Sequence, residues 1–299
     1  MNKCAILTMD CLDGFETYDQ LIELPLADLG WNIEMVSWRK SNVEWSKYNA
    51  VIIRSPWDYQ EDSTAFLKVL EAIESSSAHL ENSLDIVTWN IDKQYLQDLQ
   101  KQNILIVPTA WYERLIQHKL SADDILSYFE IFNQDQIVIK PRISANADNT
   151  FCLNRTNINE SIDAINNAFK TRDYMVQPFV ECVLSEGEFS LFYFNGHYSH
   201  TILKTPKAND FRVQEEHGGQ IMSVTPENAL IERADNTIKA IASLHQMPLY
   251  ARVDFVRYKN GFALMEAELI EPSLYFNMDN ESPRRFAKAF VERMHYLTL

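Results

Sequence analysis

Asp254, Glu266 and Glu268 are the residues whose types and spacing point most directly to chemistry. They lie in the stretch Ala251 to Glu271 (ARVDFVRYKNGFALMEAELIE), which reads as two strands about a tight turn. Side chains alternate along a strand, so Arg252 and Asp254 share one face, and Glu266 and Glu268 share one across the turn. A two-residue Asn260-Gly261 turn would pair Asp254 with Ala267. A three-residue loop, Lys259-Asn260-Gly261 with Gly261 left-handed, instead sets Asp254 opposite Glu266 and Arg252 opposite Glu268. Opposed side chains sit about 5 Å apart, where two like charges repel by roughly 3 kcal/mol at an effective dielectric near 20. A cation within the cluster relieves that repulsion. Donors that are all oxygen point to Mg²⁺, with phosphates completing its shell. The competing reading is a solvated acidic strand face. Apolar residues flanking the second strand, and a further carboxylate in Glu271-Pro272-Ser273, favour the metal site.

Two lysines fit an anion beside that metal. Lys140 ends the apolar run Ile137-Val138-Ile139 and is followed by Pro141, and Lys93 stands in the predicted first turn of a helix, where the dipole disfavours a cation. An anion held between them explains both placements, although each taken alone could be a surface lysine with a buried stem. The loop from Ser144 to Asn149 is small and amide-rich, suited to covering a phosphate, but it lacks glycine. Further along, Glu188 opens a predicted hairpin that closes on Lys204, and Arg212 lies in a long polar loop. Ser nucleophile elbows and metal-ligand His spacings are absent from the sequence, so neither covalent hydrolysis nor a His-bound metal has support.

The elements that would position these groups alternate strand and helix at the start. Ala5 to Thr8, Ile33 to Trp38 and Ala50 to Ile53 read as buried strands, with helices over Tyr18 to Leu29 and around Phe66, Leu70 and Ile73 after a cap at Asp62 or Ser63. This predicts a parallel α/β unit, in which ligands sit beyond the carboxyl ends of strands. That rule selects Arg54, Trp57, Asp58 and Tyr59 as candidate substrate contacts. Asn90 is predicted to cap a helix carrying Lys93, and Ser121 with Asp124 to cap another. Strands are predicted at Leu105 to Val107, Ile137 to Lys140 and Tyr174 to Phe179, and a helix over Asn159 to Lys170. Glu188 to Phe194 and His197 to Lys204 form a hairpin over Asn195-Gly196. Thr225-Pro226 is predicted to start a long helix with Leu230, Ala234, Ile238 and Ile241 buried, and a last helix runs from about Ser282.

A chain of 299 residues can bury a sizeable core and holds two or three packed units. Its net charge of −15 disfavours a nucleic-acid or anionic-membrane surface, yet leaves room for local cations in a cleft. Four cysteines show no CxxC pair, and no signal peptide or membrane-length apolar run is evident. The expectation is a cytoplasmic protein with no nucleic-acid or membrane partner. Oligomeric state stays open, a homodimer among the options.

In the order strand-Lys140, Gln177-Pro178-Phe179, Glu188, Arg252-x-Asp254 and Glu266-x-Glu268, the chain resembles the ATP-grasp superfamily of carboxylate–amine ligases. WNIDKQYL, VIIRSPWDYQ, EGEFSLFYFNGHYSH and ELIEPSLYF make it similar to the branch that contains the cycloserine-forming O-ureidoserine cyclo-ligase. The resemblance implies a mixed α/β ATP-grasp fold: an N-terminal parallel α/β substrate domain over residues 1–88, then an ATP-grasp domain over 89–299 with a lid subdomain at about 110–177 and a C-terminal antiparallel sheet. It implies ATP and Mg²⁺ as cofactors. Lys93, Lys140 and Ser144 would contact the nucleotide, Gln177, Pro178, Phe179 and Val180 would form the adenine hinge, and Glu188 would bind ribose or assist the metal. Asp254, Glu266 and Glu268 would hold Mg²⁺, Arg252 would meet the transferred phosphoryl group, and Lys204 and Arg212 would contact phosphate or substrate. Two positions depart from the usual pattern: the glycine-free loop from Ser144 to Asn149, and Glu268 where most relatives carry Asn. The implied reaction activates a small amino-acid-like carboxylate as an acyl phosphate for attack by nitrogen. A peptide-modifying ligase and a non-catalytic nucleotide-binding protein are the alternatives. Hydrolysis by two carboxylates would leave Lys93 and Lys140 without a role.

Overall fold

The computed structural model describes residues 1–299 except 117–118, 145–146, 208–209, 211, 214, 216–217 and 298–299. The first sheet is the expected parallel unit. β1 (Asn2–Thr8) lies between β2 (Trp31–Ser37) and β3 (Ala50–Ser55), and β4 (His79–Glu81) extends the edge beyond β3, all parallel. Residues of β3 are buried along its whole length, as expected of a strand covered on both faces. The helix predicted over Tyr18 to Leu29 is broken: a 3-10 turn over Asp19–Ile22 follows left-handed Tyr18 (φ 57°), and α1 covers only Glu23–Asp28. α2 (Ser63–Glu74) begins where expected, because the Asp62 carboxylate accepts the Ala65 N–H at 3.0 Å and buries Phe66, Leu70 and Ile73.

Two short helices, α3 (Leu84–Asn90) and α4 (Tyr95–Lys101), lead into a second sheet with strand order β5-β8-β6-β7. Its strands are β5 (Ala110–Tyr112), β6 (Gln136–Pro141), β7 (Phe151–Asn154) and β8 (Tyr174–Pro178), all antiparallel to their neighbours. α5 (Ala122–Phe132) and α6 (Ile158–Ala168) pack on it through Phe129, Ile125 and Ile165. The predicted capping box of α5 is present: Ser121 Oγ accepts the Asp124 N–H at 3.1 Å, and the Asp124 carboxylate accepts the Ser121 N–H at 2.7 Å.

After the one-turn α7 (Cys182–Ser185), the third sheet gathers β9 (Glu188–Phe194), β10 (His197–Thr205), β11 (Gln220–Ser223), β12 (Tyr250–Tyr258) and β13 (Gly261–Glu268) in the order β11-β10-β9-β12-β13. The predicted Asn195-Gly196 turn is present, both residues having positive φ (47° and 80°) as such a hairpin requires. α8 (Asn228–Leu244) covers one face with Leu230, Ala234, Ile238 and Ile241 buried as expected. It starts later than Thr225-Pro226 predicted. Glu227 takes the N-cap position without a side-chain cap, its carboxylate lying 2.5 Å from Arg257 Nη2 instead. The other face joins the first sheet through Phe192, Phe194, Ile202 and Tyr250, with α9 (Ser282–Leu297) contributing Phe286 and Phe290. Each such fully buried side chain contributes about 1.5–3 kcal/mol, so this shared core fixes the first sheet against the third. Among the described residues no helix is long and apolar enough to cross a membrane.

Candidate active site

The β12–β13 hairpin carries the carboxylates in the expected register by a different route. Tyr258 pairs with Gly261, so the turn has two residues, and Lys259 rather than Gly261 takes the left-handed conformation (φ 52°). Phe255 therefore pairs with Leu264. A bulge then places one extra residue, Met265, before Glu266, and Asp254 meets Glu266 while Arg252 meets Glu268. Phe255 and Leu264 point to the core, while Asp254, Met265, Glu266 and Glu268 line a single cleft.

β13 is an edge strand, and its outer side is clamped by the segment that leads into the second sheet. The Asn90 amide donates to Ala267 O (2.8 Å) and accepts the Leu269 N–H (3.0 Å), and the Tyr95 hydroxyl accepts the Ala267 N–H (2.7 Å). Val107 N–H donates to Leu264 O and Leu264 N–H to Leu105 O, at 3.0 and 2.8 Å. The segment predicted as a strand at Leu105 to Val107 is thus a short parallel bridge onto this edge. Asn90 does not cap a helix start. It closes α3, whose own cap is Ser83, because its amide serves the β13 backbone. Lys93 accordingly lies between α3 and α4 rather than in a helix's first turn, and its N–H donates to Arg142 O at 3.1 Å.

Each predicted metal-binding carboxylate is held by a cation. Asp254 Oδ2 lies 3.0 Å from Lys204 Nζ and 3.0 Å from Arg252 Nη2, and Arg252 also pairs with Glu268. Glu266 Oε1 lies 3.1 Å from Lys93 Nζ, and Lys204 Nζ lies 2.5 Å from Glu188 Oε1. Glu188 and Lys204 are directly opposed in the β9–β10 ladder. Gly187 permits this close approach: a Cβ there would meet Lys204 O at 2.6 Å, at a φ of +110°. Burial alone would raise Asp254 and Glu266, but Arg252 and Lys204 hold the first below the usual carboxylate range, and Lys93 and Lys140 do the same for the second. Glu268 goes the other way. Burial pushes it up to about 8 against the pull of Arg252, with Asp254 and Glu266 adding to the rise. Among the described residues no group of three or more His, Cys, Asp or Glu side chains is gathered as a ready metal cage.

Lys140 lines the same cleft, and no carboxylate among the described residues lies within ion-pair distance of it. Burial depresses its pKa; Glu266 opposes that shift and Lys93 adds to it. Lys93 Nζ also donates to Ser144 O at 2.7 Å, tying it to the predicted phosphate loop. Ala145 and Asn146 of that loop lie outside the described residues, while Ala147 and Thr150 line the cleft. Its far end is fixed by Arg172, whose guanidinium lies 2.7 Å from both Asp148 Oδ2 and Ile143 O.

One end of the cleft is apolar. Gln177, Pro178, Phe179 and Val180, the predicted hinge, line it beside Val183, Val213 and Met265. Gln177 Nε2 donates to Thr109 Oγ1 (2.9 Å) and Phe179 N–H to Gln136 O (2.9 Å), so this crossing is rigid. Arg212 lines the cleft as well, paired with Asp210 at 2.7 Å. The other end is built by Trp57, Tyr59, Glu271, Ser273 and Tyr275.

Two of the predicted substrate contacts are corrected. Arg54 is fully buried and does not line the cleft: it pairs with Asp19 Oδ1 (2.9 Å), donates to Pro272 O (2.9 Å) and sits over the Tyr250 ring. In the sequence an arginine at the end of a buried strand looks like a ligand group, because its partner Asp19 is remote along the chain. Asp58 turns outward to Trp38 Nε1 (2.6 Å) and Arg39 Nε (2.5 Å). Trp57 and Tyr59 do reach the cleft. Asn90, Met265, Glu271 and Tyr275 line it without having been predicted to do so. The carboxylate and turn of Glu271-Pro272-Ser273 were the signal for the third.

Residues 4–82 match the family model described as the N-terminal domain of the D-cycloserine synthetase DcsG. Over 279 residues the chain is 27% identical to the cycloserine biosynthesis protein DcsG of Streptomyces lavendulae, covering 89% of this chain and 90% of that protein. The crystal structure of D-cycloserine synthetase DcsG superposes with a TM-score of 0.86 at 24% identity, covering 98% of this chain and 100% of the other. A D-alanine–D-alanine ligase from Bacillus anthracis complexed with ATP superposes with a TM-score of 0.70 at 14% identity, covering 99% and 98%.

Proposed function

We propose, from the premise that this chain has the ATP-grasp fold, that it is a Mg²⁺- and ATP-dependent carbon–nitrogen ligase acting on a small amino-acid-like carboxylate. The comparisons bear out the resemblance read from the sequence, and the site supports the finer reading. The observation that carries it is the meeting of Lys93, Lys140, Asp254, Glu266 and Glu268 in one cleft whose apolar end is a rigid backbone crossing. An adenine ring suits the slot between Val180, Val183, Val213 and Met265, where the hinge backbone can read its edge. Lys140, which meets no carboxylate at ion-pair distance among the described residues, supplies a cation for phosphate, and Lys93 ties a second to the Ser144 loop.

Asp254, Glu266 and Glu268 fit Mg²⁺ by donor chemistry, as hard oxygens in register on one face. Bound there, the ion would neutralise phosphate charge. Arg252, paired with Asp254 and Glu268, would stabilise the phosphoryl group as it passes to the substrate carboxylate. The resulting acyl phosphate is attacked by nitrogen, forming the amide and releasing phosphate. Trp57, Tyr59, Ser273 and Tyr275 wall the end of the cleft that would take a small amino-acid body. Relatedness to a cycloserine biosynthesis protein favours such a substrate over a peptide.

The test is thermal unfolding with and without Mg-ATP, followed by ADP release across a panel of amino-acid-like carboxylates. Ligand at a hundredfold excess over Kd stabilises by about 2.7 kcal/mol, a rise of several degrees. ADP release that never depends on an added carboxylate would sink the ligase reading.

A further inference from the structure

Glu188, Asp254, Glu266 and Glu268 each meet a lysine or arginine in the cleft, whereas the group that acts most on the Glu271 carboxylate is a neutral one, the nearby Tyr59 hydroxyl. No cation among the described residues lies within ion-pair distance of Glu271. It sits beyond the β13 strand end, at the mouth formed with Trp57, Ser273 and Tyr275, away from the apolar slot. Its backbone is pinned from the first sheet's side. Trp57 Nε1 donates to Glu271 O (2.8 Å), and the buried Arg54 donates to the next carbonyl, Pro272 O (2.9 Å). Tyr59 is itself buried, its ring 5.1 Å from Phe66. A carboxylate thus stands on a pinned backbone in the cleft, three residues beyond Glu268 and outside the trio in register on β12 and β13.

We infer that Glu271, its backbone pinned by Trp57 and Arg54, is the general base of the acyl-transfer half-reaction. The inference rests on the ligase reading. The nitrogen lone pair forms the C–N bond at the acyl carbon, the C–O bond to phosphate breaks with its electron pair leaving on phosphate, and the N–H proton passes to the Glu271 carboxylate. Removing that proton prevents the nitrogen from departing again as a protonated amine. The charged and titratable groups that act on Glu271 are Tyr59, Lys93, Glu266, Arg252 and Tyr250. Burial, opposed by Tyr59 and Lys93, holds its pKa up to about 7, where a base is half ready at neutral pH.

The experiment separates activation from transfer. Purified wild type and variants receive Mg-ATP with O-ureidoserine or D-alanine as the carboxylate. Hydroxylamine, a strong neutral nucleophile from solvent, traps the acyl phosphate as a hydroxamate; C–N product is measured by mass without it. Glu271→Gln should keep hydroxamate within about twofold and lose C–N product by about a hundredfold or more, with the rising limb of the pH profile near 7 gone. Glu271→Asp should recover part of that limb, and Tyr59→Phe should move it to higher pH. Equal loss of hydroxamate and product in Glu271→Gln would make the residue an anchor for substrate and overturn the inference, as would an unchanged transfer rate. Wild type forming no hydroxamate with these or any other carboxylate of the amino-acid-like panel would refute the ligase reading itself, and the inference with it.

Discussion

Lys204 Nζ stands 3.0 Å from Asp254 Oδ2, joining residues that are fifty positions apart in sequence, with both side chains almost wholly buried. The same ammonium lies 2.5 Å from Glu188, so one cation serves two buried acids. Burial would lower the lysine's pKa, but Asp254 and Glu188 raise it above the usual range. Lys204→Met leaves those acids without compensation and should destabilise the nucleotide-free protein by about 3–5 kcal/mol, a fall in Tm of about 10 °C. If Asp254 is a metal ligand, millimolar Mg²⁺ should restore part of the loss in the variant and shift wild type little. Equal Mg²⁺ response in the two proteins would remove Asp254 from the metal site.

Lys140 should show opposite signs for stability and binding. Its pKa is lowered by burial, so the folded protein holds this proton less tightly than the unfolded chain does. A depressed folded pKa means its contribution is favourable above the unfolded value and worsens as pH falls through the folded one. At pH 7 the charged lysine therefore costs stability until an anion arrives. Lys140→Met should raise the Tm of the nucleotide-free protein and weaken ATP at least about tenfold, or 1.4 kcal/mol. Calorimetry showing unchanged ATP affinity would exclude Lys140 from the nucleotide site.

Most of the fold was legible because periodicity and turn chemistry are local signals. The Asn195-Gly196 hairpin, the Ser121–Asp124 capping box and the buried stripe of α8 follow from residues within a few positions of each other. The carboxylate register was reached through the wrong turn: a two-residue turn plus the Met265 bulge gives the same pairing as a three-residue loop, and sequence alone does not separate them. What failed was long-range. Asn90 has the chemistry of a cap, and only the edge of β13, some 177 residues away in sequence, reveals where its amide is spent. Arg54 has the chemistry of a ligand group, and only Asp19 and Pro272 show it to be sealed.

That sealing gives a third expectation. Arg54→Met strands the buried Asp19 carboxylate, which burial already pushes up against the pull of Arg54. The variant should lose about 3–5 kcal/mol of stability while the folded fraction keeps its Mg-ATP affinity. Loss of carboxylate-dependent ADP release with unchanged Tm would return Arg54 to the substrate site.

Glu271 should reveal itself without any substrate, in the pH dependence of folding. Its pKa of about 7 in the folded protein lies above the ordinary value of 4.5, with burial the largest cause. A raised folded pKa means the folded state holds the proton more tightly than the unfolded one. The stabilisation is complete below pH 4.5 and is lost as pH rises through about 7. Gln copies the neutral, protonated form. Glu271→Gln should therefore exceed wild type at pH 8.5 by about 2–3 kcal/mol, a Tm gain of several degrees, with the gap narrowing toward pH 5. Comparing the two proteins at each pH cancels the titration of every other group. A gap that does not change with pH would mean Glu271 carries an ordinary pKa, and a base that is fully ionised at neutral pH would leave no rising limb near 7. A gap that closes on acidification would tie the cost in stability to the same proton that transfer requires, since function here keeps a carboxylate where folding alone would prefer an amide.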